Sequence, residues 1–310
     1  MAAKKSGVRR PAAKLTRTPK RATKPKSRSK PKGRKAKTTL APSAKITPEA
    51  PTYDGGPRRR GARRSKPEGW STPFLSSPYT EPPHTMESAK MLIVEFEPDP
   101  DAAWQAVPDP LDLGPNPMAV AVFGDNRQMP TSQNFQEGMI VLNVRLGDQA
   151  GSFTPYIWTS TDEAMLAGRE GSGRPKLMCD HNTIQETGSQ ATAKITRRGE
   201  TLMRGSIALE KKGSAADLPF GGDWFSVRKI QMPEEGRPAL KQVIQHGLSG
   251  NFKVFSIWEG RGFVEFPGQA FSAVHRLKPR LIGRAWLAHV SWDLGWGKIA
   301  WENWVPAIMP

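Results

Sequence analysis

The segment from Gly168 to Met178 reads GREGSGRPKLM and holds several residue types that could do chemistry. Gly168 and Gly173 stand at the G-x-x-x-x-G spacing of a phosphate-cradling loop. That loop needs a lysine followed by a hydroxyl residue, to reach the phosphates and hold magnesium. Here Arg174 and Pro175 follow, and proline removes a backbone N–H from the cradle. The cations Arg169, Arg174 and Lys176 lie close in sequence to Asp162, Glu163 and Glu170, so the segment is no basic patch for nucleic acid. A third reading is amine chemistry, beside the plain one of a solvated surface lysine. Lys176 follows the rigid Pro175 and precedes Leu177 and Met178, a local sequence that can turn an amine into an apolar cavity. Burial there disfavours the ammonium form, and a neutral lysine is a nucleophile toward carbonyl carbon.

Metal chemistry finds little support. The single cysteine, Cys179, permits no intramolecular disulfide, and with His181 it supplies only two ligands. The five histidines are scattered, without an H-E-x-x-H or His-x-His pair, and no metal or cofactor is expected.

The elements that must position Lys176 read as short strands between turn residues. MLIVEFE (91–97), MAVAVFG (118–124), MIVLNVRL (139–146), FTPYIWTS (153–160) and TLMRGSIAL (201–209) have the apolar and β-branched character of strands. WFSVRKIQM (224–232), KVFSIWEG (253–260), RGFVEF (261–266) and LAHVSWDLGW (287–296) add four more. Helices are few: 99–108, capped by Asp99 or Asp101, and 162–170. With no regular strand–helix alternation, a doubly wound fold is disfavoured. The expected fold is mainly β (α+β): an antiparallel closed or partly open β-barrel or cone with a few short helices.

Charge divides the chain. Of its 46 basic and 29 acidic residues, residues 1–66 hold 23 and two, a local net of +21. The remainder carries 23 and 27, a net of −4. The expected organisation is a disordered Lys/Arg/Pro-rich arm over 1–66, a linker over 67–83 and a folded domain over 84–310. The arm has almost no large apolar residue to bury against its ordering entropy, and it could tether nucleic acid or another polyanion in a salt-sensitive way. It could equally be a solubilising extension. It lacks the apolar region of a secretory signal, and no window reaches the ~18 apolar residues of a membrane span. A cytoplasmic location is expected.

AMLAGREGSGRPKLM (164–178) resembles the active-site segment of the acetoacetate decarboxylase family, in which a Gly-Arg-Glu triplet precedes a Pro-Lys whose lysine forms a Schiff base. Gly168, Arg169 and Glu170 match the triplet, Pro175 the proline and Lys176 the nucleophile. DAAWQAVPDPLDL (101–113) looks like the family's early helix ending in Val-Pro-x-Pro-Leu. FQEGMIVLNV (135–144) places Glu137 on an active-site glutamate, and SIWEGRGFVEF (256–266) is similar to a Trp-x-Gly hairpin. The resemblance spans roughly 78–304. It implies catalysis by Lys176, with Glu137 moving protons or serving as a structural partner of an arginine such as Arg169. Arg169 and Glu170 position the loop or pair with each other, and Gly171 and Gly173 free its backbone. The family's second lysine is replaced by Leu177, its arginine falls near Ala89 with Lys90 beside it, and its second glutamate falls near Val122. The implied activity is a decarboxylase-like lyase acting on a ketone, β-keto or α-keto acid, in a homo-oligomer without a cofactor. Schiff-base aldol condensation and dehydration of a pyruvate-like keto acid is the alternative. A non-catalytic barrel carrying a nucleic-acid-binding arm also stays open.

Overall fold

A computed structural model describes residues 69–306, apart from 128, 181–182, 220–221 and 248–250. The basic arm and His181 lie outside the described residues. Among the described residues fifteen strands run in chain order: β1 (His84–Glu97), β2 (Asp112–Leu113), β3 (Ala119–Arg127), β4 (Phe135–Leu146) and β5 (Gln149–Thr159). Then come β6 (Lys176–Met178), β7 (Gln185–Thr187), β8 (Gln190–Arg197), β9 (Glu200–Ala208) and β10 (Lys211–Lys212). The last are β11 (Asp223–Ile230), β12 (Ala239–Gly247), β13 (Lys253–Glu265), β14 (Leu281–Leu294) and β15 (Lys298–Val305). Helix α1 (Pro100–Ala106) is capped by Asp99, whose carboxylate accepts from Ala102 N at 2.9 Å. Helix α2 (Asp162–Leu166) is capped by Thr161 and runs into a π-helical turn over Ala167–Gly171.

The molecule is mostly β, as expected; of the closed and partly open alternatives the sheet is open, and the antiparallel expectation is corrected at two pairings. The pairing order is β15-β12-β11-β5-β4-β3-β1-β14-β13-β9-β8-β7, an open path with β15 and β7 at its ends. One pairing on this path, β5 with β11, is parallel, and so is that of β5 with β6, which lies off the path. The β5–β6 pair follows from the connection: a parallel neighbour needs a crossover, and α2 with the π-helical turn supplies one.

MLIVEFE lies in β1, at the centre, and is buried on both faces. Leu92, Val94 and Phe96 join Phe123, Ile140 and Leu142 in a core closed by Ile195, Leu202 and Met203 of β8 and β9. Met91 and Ile93 point the other way, with Val122, Met139, Val141 and Trp286. This strict alternation assigns each side chain to one face. The second face is the one that carries the lysine.

The expected Trp-x-Gly hairpin is not a turn. Residues 256–266 lie almost wholly within β13, a single 13-residue strand whose first part pairs with β14 and whose last part pairs with β9. Its Gly260 permits close approach: an added Cβ would stand 1.8 Å from the Ala208 carbonyl oxygen.

Candidate active site

Chain pairing brings the sequence motifs together. Lys176 opens β6 in register with Ile157 of β5, and Glu137 of β4 pairs with Thr159 of the same strand. Ile157 and Met139 lie on the second face, so Lys176 and Glu137, in step with them, lie there too. The two side chains are 8% and 3% exposed, and Lys176 Nζ stands 3.3 Å from Glu137 Oε2. The Phe135 ring, centred 4.9 Å from Nζ, forms another wall. Tyr79, His84, Gln133 and Arg174 complete much of the cavity around this pair.

The amine's electrostatics have several causes. Burial, the largest, holds the Lys176 pKa below the ordinary lysine value; the Glu137 charge opposes this, and the Arg174 charge adds to the lowering. Leu177, where the resemblance has a second lysine, is on the next residue of a strand and points away; it is 39% exposed. A side chain two residues along an extended chain does share the face, and that residue is Arg174. The cation that the resemblance places at residue 177 is therefore supplied from residue 174.

Arg174 is buried, with burial lowering its pKa and Glu137 opposing. Its Nε has no hydrogen-bond partner, and its guanidinium carbon lies 5.6 Å from the centre of the Trp224 ring. Asn126 is fully buried beside Glu137, on the same face, and its amide nitrogen and oxygen are also unpartnered. His84 stands near enough for the Lys176 charge to lower its pKa, after burial, the larger cause. Sequence reasoning passed over all three as site residues. The i, i+2 alternation around Pro175 was the signal available for Arg174. Asn126 and His84 become site residues only through strand pairing.

The Gly-Arg-Glu triplet fixes the loop. Arg169 Nη1 donates to the Lys176 carbonyl at 3.1 Å, and the cation paired with the Glu137 carboxylate is Lys176, not Arg169. Glu170 accepts from Tyr79 Oη at 2.6 Å and from Ser71 Oγ at 2.8 Å, fastening the chain that leads into β1. Gly168 leaves room for the lysine stem; an added Cβ would lie 2.6 Å from Lys176 Cδ. Gly173 adopts φ +69°, whereas Gly171 has open space around it. Ala89 is buried in register with Asn126, but Lys90 lies on the opposite face in an ion pair with Glu186. Val122, where the resemblance has a second glutamate, is an apolar wall opposite Met139.

A mostly β fold with a buried lysine and carboxylate in one cavity defines a class, and comparison with known proteins names it. The family model described as acetoacetate decarboxylase (ADC) matches residues 71–303, and the chain belongs to that family. Acetoacetate decarboxylase from Legionella pneumophila subsp. pneumophila str. Philadelphia 1 is similar in structure, with TM-score 0.70 and 18% identity over 78% of this chain and 99% of that one. The enduracididine biosynthesis enzyme MppR, complexed with the condensation product of pyruvate and imidazole 4-carboxaldehyde, has TM-score 0.66 and 21% identity over 76% and 97%. An acetoacetate decarboxylase-like enzyme from Sphingomonas wittichii RW1 has TM-score 0.68 and 17% identity over 76% and 99%. At these identities the structural likeness is one of fold. No match was found among curated proteins.

Proposed function

We propose that this protein is a Schiff-base lyase acting on a keto acid, with Lys176 as nucleophile. The observation that carries the reading is the buried Lys176 amine, 3.3 Å from Glu137, in a cavity lined by His84, Phe135 and Arg174. The neutral amine attacks the ketone carbon, and a proton passes from nitrogen to oxygen to give a carbinolamine. Glu137, as the acid, protonates the hydroxyl; water leaves and an iminium forms. For a β-keto acid, the electrons of the carbon–carboxylate bond flow into the iminium, releasing CO2 and leaving an enamine. Protonation of the enamine carbon and hydrolysis return the ketone and free Lys176. Arg169 and Glu170 position the loop without touching substrate.

A second reading is aldol condensation and dehydration of a pyruvate-like keto acid. There the iminium loses a proton from the adjacent carbon, the enamine attacks an aldehyde, and water is then eliminated. Arg174 favours it. A guanidinium that holds a carboxylate stabilises the bound acid more than a transition state in which that charge is leaving the carboxyl group.

Borohydride reduction with acetoacetate or pyruvate, followed by peptide mass mapping, tests the shared step. The expected result is one covalent adduct on Lys176, absent in Lys176→Ala. An acetoacetate adduct lighter by one CO2 assigns decarboxylation, and an intact pyruvate adduct fits the second reading. Failure of every ketone to label Lys176 would overturn the proposal.

A further inference from the structure

A second hollow adjoins the lysine cavity, and both are walled by Arg174, Trp292 and Leu294. Its lining includes Met91, Met139, Trp224 and Phe252. Met139 is two residues beyond Glu137 on β4, so it follows Glu137 on the same face by roughly 7 Å of backbone, at a strand rise of ~3.3–3.4 Å per residue. Arg174 stands at the junction, with its Nε unpartnered and its guanidinium near the Trp224 ring. A guanidinium remains cationic when buried, and one whose buried Nε lacks a hydrogen-bond partner suits an anionic ligand group.

We infer that the lysine cavity and this hollow form one bipartite site for a keto acid with an aromatic or bulky apolar substituent. The keto carbon faces Lys176, the carboxylate meets Arg174, and the substituent fills the hollow between Met139 and Trp224. The inference rests on the Schiff-base reading and holds for either reaction class. It accounts for the apolar Met139, which lines the hollow two residues beyond Glu137. A methyl keto acid would leave that hollow unused.

The test is a comparison of phenylpyruvate with pyruvate, and of benzoylacetate with acetoacetate, on the full chain. Half-saturating concentrations for borohydride trapping should be at least about tenfold lower for each aryl compound. Met139→Trp, which fills the hollow, should bring the aryl-to-methyl ratio toward one. Arg174→Gln should weaken phenylpyruvate relative to the uncharged ketone 4-phenyl-2-butanone. Calorimetric binding to Lys176→Ala separates the subsite from the covalent step. Tighter binding of phenylpyruvate than pyruvate there, without trapping in the parent protein, would refute the Schiff-base reading and leave the subsite standing. Equal or weaker binding of the aryl acids in both proteins would overturn the inference.

Discussion

At the scale of single residues, Lys176 sits between Glu137 and Arg174, whose charges act on its protonation in opposite directions. Burial lowers the lysine pKa most, Glu137 resists, and Arg174 adds to the lowering. Replacing Arg174 by Met removes one lowering influence, so the pH profile of Lys176 trapping should move upward. Lys176→Ala is expected to lower turnover of an accepted keto acid by at least about a thousandfold. Glu137→Gln keeps the shape and loses the proton carrier, and should cost about 10²–10⁴ in turnover. Steady-state kinetics on the best substrate from the trapping panel checks both. Gly168→Ala places a methyl within 2.6 Å of Lys176 Cδ. It should destabilise the fold by roughly 1–3 kcal/mol in denaturant titration and displace the amine, so that trapping falls even in the folded fraction.

At the scale of elements, the loop that carries Lys176 is held from three sides. Arg169 holds the Lys176 backbone, Ser71 and Tyr79 hold Glu170, and Arg228 Nη1 donates to the Glu170 carbonyl at 2.7 Å. On β12, His246 Nε2 lies 3.0 Å from Ser226 Oγ, and Ser226 donates to the Ser172 carbonyl at 2.6 Å. Burial, with Arg174 adding and Ser172 opposing, lowers the His246 pKa from 6.5 to about 4. The folded chain therefore binds fewer protons there than the unfolded chain between those values. Stability should fall as pH drops from about 6.5 to about 4, at about 1.4 kcal/mol per unit of pKa difference, and His246→Asn should flatten that slope in thermal melts. Much of the sheet was legible because MLIVEFE and MIVLNVRL are apolar on both faces. The strand ALKQVIQHG was not, since it looks polar in sequence. Its Gln242 and His246 are buried because Arg228 and Ser226 across the β11–β12 pair supply partners. The edge strand KIAWENWV was missed because it is mostly exposed and shows no clean alternation. Of the site, Lys176, Glu137 and the Gly-Arg-Glu loop were readable through local motifs. Arg174, Asn126 and His84 depend on how strands and loop meet, which spacing along one segment does not encode.

At the scale of the whole molecule, the matched family region covers 71–303, and the dense positive charge of residues 1–66 lies before it. No helix among the described residues is long and apolar enough to cross a membrane. We propose that the arm acts as a salt-sensitive polyanion tether, independent of the lysine chemistry. The full chain should bind duplex DNA with an affinity that falls steeply with salt, and a chain lacking residues 1–62 should lose that binding while retaining Lys176 trapping. Retention of the same salt-dependent binding by the shortened chain would assign the contact to the body. The central claim, that Lys176 is a buried amine activated for Schiff-base formation, is tested most directly by its trapping rate with a fixed ketone as a function of pH. The account predicts a rate that rises with deprotonation through an inflection well below the ~10.4 of an ordinary lysine, and higher in Arg174→Met. An inflection at the ordinary lysine value, or no labelling of Lys176 at any pH, would contradict it.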